Sequence, residues 1–247
     1  MSLETPSRRT TVTVVAVVVL SALISVATGA VRFVRTDGGS AWQSSETVPL
    51  PTPSRTGDVS VETALTNRRS RRDYADRALT RRELGQLLWA TQGVTDRMSG
   101  HRAAPSAGAL YPLEVYAVVG TPGVDGLDPG VYRYQPRRHE LSPGRTGDVQ
   151  SQLRAAAVDQ AFVERAAVDI VVCAVDERTT VKYGDRGERR YVPMEAGHAG
   201  QNLYLQAEAL GLATVAVGAF NDERVRSLVG APAGQRPLYV FPVGGRA

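Results

Sequence analysis

The chain has 247 residues, 43% of them apolar, and 29 basic against 25 acidic residues leave a net charge of +4. That content suffices for a core in one large domain or two small ones and excludes a disordered chain, while interspersed acids leave no continuous basic stripe, which argues against nucleic acid as a partner. A single cysteine, Cys173, excludes an intrachain disulfide, and three scattered histidines give no metal-ligand cluster, so no metal is expected.

In chain order, residues 1–9 form a short tail. Residues 10–31 carry no charge and are rich in Val, Ala and Leu. About 20 apolar residues cross a bilayer, so a transmembrane anchor is expected, with a cleaved signal peptide as the rival. A single-pass, membrane-anchored protein with its catalytic domain in the cytoplasm follows as the expected localisation. Residues 32–57 are mostly Gly, Ser, Thr and Pro and read as a flexible linker, and residues 58–247 as the folded domain.

Val61–Asn67 has helical spacing and delivers the run Arg68-Arg69-Ser70-Arg71-Arg72. Thr80-Arg81-Arg82-Glu83 has the form of a capping box before a helix with Leu84, Leu87 and Leu88 on one face, ended at Gly93. The segment His101–Pro112 follows, small-residued and bounded by prolines, able to lay bare backbone against a planar or anionic ligand. Leu113–Gly120 reads as a strand, Gly130–Leu141 as a hairpin, Asp148–Val158 as a helix and Asp169–Asp176 as a buried strand. Glu195–Leu210 is the longest helix, Ala213–Phe220 a strand, Asp222–Val229 a helix capped by Asn221, and Leu238–Val243 a final strand. Helices and strands interleave in an α+β pattern, a mixed sheet flanked by helices and preceded by the membrane anchor.

Two clusters carry chemistry. Guanidiniums grip phosphate bidentately, and the hydroxyl of Ser70 adds a hydrogen bond. Lys182 is the only lysine in a chain otherwise served by arginine. A desolvated lysine can release its proton near neutral pH where an arginine cannot, so the lone Lys182, placed in the loop between the Asp169 strand and the longest helix, suggests a task that arginine cannot do.

Taken together, Arg68-Arg69-Ser70-x-Arg72-x-Tyr74, Leu84–Gly93, Pro105-Ser106-Ala107-Gly108-Ala109-Leu110-Tyr111-Pro112, Gly197–Gly211 and Ala216–Phe220 resemble the FMN-dependent nitroreductase superfamily over about Val61–Arg246. Within it, the likeness is to the SagB-type dehydrogenase branch, whose members oxidise azolines to azoles in thiazole- and oxazole-containing peptides. The resemblance implies that Arg68, Arg69, Ser70, Arg72 and Arg246 hold the ribityl and phosphate of FMN, that Pro105, Ser106, Ala107 and Gly108 lie against the isoalloxazine, and that Gly218 and Ala219 offer N–H groups near flavin N5. It further implies Lys182 and Tyr183 as catalytic residues, a small-molecule or peptide substrate, and a homodimer with flavin sites at the subunit interface. An NAD(P)H-dependent nitroreductase or quinone-type reductase, and a non-catalytic membrane-bound flavin-binding protein, are the alternatives. The departure of Gly108-Ala109-Leu110-Tyr111 from the Asn/Gln-containing loop of ordinary nitroreductases weighs against the first of these.

Overall fold

The computed structural model describes residues 46–247. An eight-stranded sheet forms the middle layer, with its main path β1-β5-β4-β3-β6-β8-β2 and β7 pairing with β8. The strands are β1 (Val48–Pro49), β2 (Tyr74–Ala75), β3 (Leu113–Val119), β4 (Gly130–Gln135), β5 (Glu140–Thr146), β6 (Val168–Ala174), β7 (Leu212–Thr214) and β8 (Arg236–Arg246), all neighbours antiparallel. Strands β3 and β6 lie in the middle and are buried along their whole length, which is why their sequences are nearly continuous apolar runs.

The alternation of side chains along β3 and β6 divides the core in two. Leu113, Val115 and Ala117, with Ile170 and Val172, face a layer built by α2 (Arg81–Gln92) and α6 (Val192–Ala209). Tyr116 and Val118, with Val171 and Cys173, face α3 (Gln150–Ala156), α4 (Ala161–Glu164) and α7 (Asp222–Leu228). The order is completed by α1 (Val61–Asn67), before the arginine run, and α5 (Glu177–Tyr183), between β6 and α6. At Thr80 the hydroxyl accepts from the Glu83 N–H while the Glu83 carboxylate accepts from the Thr80 N–H, the capping box read from the sequence.

Three expectations are corrected. The expected architecture joined a transmembrane helix to the α+β domain. Residues 10–31 lie outside the described residues, and among those described no helix is long and apolar enough to cross a membrane; the architecture of the described residues is the α+β domain. The linker expected over 32–57 ends too late. Val48 and Pro49 pair with Leu141 and Glu140, Leu50 is buried in the core, and Gln86 binds both the N–H and the carbonyl of Ser54. A proline is tolerated on an edge strand because no outer neighbour needs its N–H, so a proline-rich sequence here conceals a strand. Ala213–Phe220, finally, is a strand only as far as Thr214. Val217 then makes an isolated bridge to Val240, leaving Gly218 and Ala219 irregular and exposed.

Helix α6 approaches the sheet closely because Gly200 faces it, and a Cβ there would lie 2.9 Å from Phe241 Cζ. Replacing Gly200 by Val should lower stability in urea unfolding by about 1–3 kcal/mol, the range for an overpacked core.

Candidate functional site

The loop before β3 is held in a conformation that side chains resist. Gly108, Ala109 and Tyr111 have φ of 64°, 54° and 48°. For Ala109 and Tyr111 this left-handed backbone costs about 1 kcal/mol or more each and persists only where surroundings over-determine it. Here they do. The Tyr111 N–H donates to Ser106 Oγ at 2.9 Å, its carbonyl accepts from Arg178 Nη1 at 3.0 Å, and its hydroxyl accepts from the Arg102 N–H at 3.2 Å. The Arg102 guanidinium covers the tyrosine ring at 4.6 Å.

Helix α5 brings Lys182 and Tyr183 to the same loop. Their expected place in a loop is corrected, because Glu177–Tyr183 is helical. A Cβ on Gly108 would lie 2.8 Å from Tyr183 Oη and 3.0 Å from Lys182 Nζ, so the glycine makes room for both. Arg178, one turn earlier on α5, binds the Tyr111 carbonyl and the carboxylate of Glu114 on β3, which also accepts from Arg133 at 2.9 Å. Arg178 thus fixes the helix that carries Lys182 and Tyr183 to the loop that carries Gly108.

Behind the loop lies a small cavity of about 250 Å³, lined among others by Pro105, Ser106, Ala107, Tyr191, Glu195 and His198. Glu195 is only 2% exposed. It accepts from Gln92 Nε2 at 3.3 Å and from the Ser106 hydroxyl, and Gln92 Oε1 in turn accepts from Arg102 at 3.0 Å. Burial pushes the Glu195 carboxyl up to about 7, against the pull of Ser106, Gln92, Arg102 and Arg178. Sequence reasoning missed Glu195, Gln92, Arg102 and Arg178. For Glu195 a signal existed: it is a charge on the helical face otherwise made by Val192, Ala196, Ala199 and Leu203, all buried.

The expected phosphate-binding residues gather elsewhere, near the far end of α6. Ser70 Oγ hydrogen-bonds Tyr204 Oη at 2.9 Å, the Arg68 guanidinium lies 5.2 Å from the centre of the same ring, and Tyr204 also accepts from the Ala216 N–H. Arg246 pairs with Glu208 at 2.6 Å. Arg69 turns back to the carbonyls of Thr66 and Arg68. Arg72 is not brought to this group. Its guanidinium lies over Phe162, which packs on the opposite layer of the core. The N–H groups of Gly218 and Ala219 are exposed and make no hydrogen bond among the described residues.

The donor set suits a flavin mononucleotide: guanidiniums and a hydroxyl for a phosphate, bare exposed N–H groups for a polar ring edge, and a small-residue loop for a planar face. The nitroreductase family model matches residues 65–245. The chain belongs to the nitroreductase family. It is an FMN-dependent oxidoreductase. It is 45% identical over 187 residues to a protein of Methanocaldococcus jannaschii named as a nitroreductase, spanning 76% of this chain and 91% of that one. The microcin B17-processing protein McbC of Escherichia coli is 31% identical over 150 residues, 60% of this chain and 55% of McbC, so the chain spans about half of that relative. The E. coli microcin synthetase McbBCD complex with truncated pro-MccB17 bound superposes with a TM-score of 0.63 at 26% identity, covering 91% of this chain and 86% of its own.

Because its folded pKa lies above the ordinary 4.5, Glu195 holds its proton more tightly in the folded than in the unfolded chain. Its contribution to stability therefore falls as pH rises from 4.5 to about 7 and is flat outside that window. Glu195→Gln should remove a slope of up to about 1.4 kcal/mol per pH unit. Unfolding of wild type and variant by urea across that window checks this, and equal slopes would overturn it.

Proposed function

We propose that this chain oxidises a small heterocycle, foremost a peptide-derived azoline, to its aromatic azole. The observation that carries this reading is the meeting of Lys182 Nζ and Tyr183 Oη over Gly108, at the loop expected to lie against the isoalloxazine. FMN, held against Pro105, Ser106, Ala107 and Gly108, would supply the two-electron acceptor for a hydride from the ring carbon. Aromatisation also releases a proton from the ring, and Lys182 or Tyr183 receives it. Arg178 holds α5 so that both stand at the loop. Identity to McbC and the likeness to a synthetase complex holding a pro-peptide support a peptide-derived substrate over a free quinone or nitroaromatic.

The flavin site is completed by a second copy of the chain. The loop sits against the first turns of α6, at Glu195 and His198, whereas Ser70, Arg68 and Arg246 sit at Tyr204 and Glu208. Glu195 and Glu208, at about 1.5 Å per residue, are about 20 Å apart along the helix axis. Two half-sites at opposite ends of one helix suit a two-fold dimer in which the loop of one protomer meets the arginines of its partner.

Lys182→Ala should retain bound flavin, read from its visible spectrum, yet lose about 100-fold or more in turnover of an azoline-containing peptide, the usual worth of a general base. Lys182→Arg should not restore it. Unchanged turnover in the alanine variant removes Lys182 from the mechanism, and a colourless preparation that FMN cannot restore removes the flavin reading.

Mixing two binding-deficient chains tests the shared site. Arg68→Ala/Arg246→Ala and Gly108→Val should each bind FMN poorly alone. Co-expressed, they should recover flavin in hybrid dimers, because one interface then combines an intact loop with intact arginines. No recovery in verified hybrids would place the whole site within one protomer.

A further inference from the structure

Beside the loop that carries Gly108 lie two adjoining clefts whose walls are strongly basic. One, of about 380 Å³, reaches from Ala109, Leu110 and Tyr111 to Arg102, Arg133, Arg178 and Arg137. The other, of about 510 Å³, is lined by Arg97, Arg137, Arg138 and Glu140. Arg137 belongs to both and leans across Gly100, whose Cβ position lies 3.7 Å from Arg137 Nη2.

Six arginines thus face two carboxylates. Glu114 is shared by Arg133 and Arg178, and Glu140 pairs with Arg138 at 3.4 Å. Arg97, Arg102 and Arg137 form no ion pair among the described residues. Arg102 is the informative one. It is half-buried, its side chain meets only the neutral carbonyl of Gln92 and the face of Tyr111, and burial draws its pKa below the ordinary value. Glu114 and Glu195 act on it only at a distance, without a direct ion pair, and a guanidinium so removed from water favours an anionic ligand, which restores the interaction that desolvation took away.

We propose that these clefts bind acidic residues of a peptide substrate, holding aspartate or glutamate side chains that flank the heterocycle being oxidised. The inference rests on the peptide reading above and names the class of peptide. The shape favours it, since two joined clefts of this size suit an elongated body with spaced charges over a single small anion. A nucleotide is disfavoured because the nearby ring faces are taken: Tyr111 is covered by Arg102, and Tyr134 is buried with its hydroxyl on His139. The cleft opens where Ala109 follows Gly108, so a bound acidic segment lies next to Lys182 and Tyr183.

The test is fluorescence anisotropy with the FMN-loaded chain and a short labelled peptide of glycine, serine and glutamate, against the same peptide with glutamine in place of glutamate. The glutamate peptide should bind about ten-fold or more tightly, and its affinity should fall steeply with salt. Arg97→Glu/Arg137→Glu, both in the clefts and exposed, should weaken it about ten-fold or more. Arg145→Glu, in a separate cleft beside α7, should leave it unchanged. Equal binding of both peptides would show no preference for acidic residues and overturn the proposal, and equal loss in Arg145→Glu would reduce the effect to net charge and overturn it too. Displacement by NADPH with the same sensitivity to Arg97→Glu/Arg137→Glu would overturn it in favour of a nucleotide site. Acidic-peptide binding that persists while no azoline peptide is oxidised would sink the proposed reaction and leave the clefts as a peptide site, so the two failures are distinguishable.

Discussion

One carboxylate on the central strand organises the candidate site. Glu114 projects from β3 at the sheet's middle and is shared by Arg133 on β4 and Arg178 on α5. Arg178 also holds the Tyr111 carbonyl. Removing the carboxylate would leave two guanidiniums crowded together with no counter-ion, and breaking such a partly buried network is costly because each remaining charge is stranded. The loop, the helix bearing Lys182 and Tyr183, and the most rigid part of the sheet therefore move as one body. Proton transfer depends on distances held to a fraction of an ångström, and the rigidity comes from this network.

A second polar network runs beneath the loop, from Arg102 through Gln92 and Glu195 to Ser106. Its members come from three segments, α2, α6 and the loop, which supplies both ends. The left-handed Ala109 and Tyr111 are affordable only because these contacts act together. The strained backbone keeps side chains away from Gly108, and the polar groups behind it keep the strain from relaxing.

Much of the fold was legible because its signals are local. Val61–Asn67, the Thr80 capping box, the buried β3 and β6 and the α6 face with Gly200 are short-range patterns, and each lies where spacing put it. The edge strand at Val48 was hidden because prolines and serines dominate its surroundings, and only pairing with β5 discloses it. Helix α5 was read as loop because seven residues with two adjacent threonines give weak periodicity, and its support comes from Arg178, a tertiary contact. Lys182, Tyr183 and Gly108 were each suspected from sequence, but their meeting was not, since contacts across some 75 residues leave no local trace. Arg72 marks the opposite failure: a motif read as one unit is split in the fold, Ser70 meeting Tyr204 and Arg72 lying over Phe162, although a regular extended chain would put residues two apart on one face.

Helix α6 has a consequence for how this chain can vary. It carries Glu195 at one end and Tyr204 and Glu208 at the other. An α-helix turns about 100° per residue. Inserting or deleting one residue between those ends would swing the Tyr204 group about a quarter-turn from its present bearing relative to Glu195, and would do so while leaving the fold's apolar content intact. The helix therefore works as a gauge of fixed length as well as a packing element.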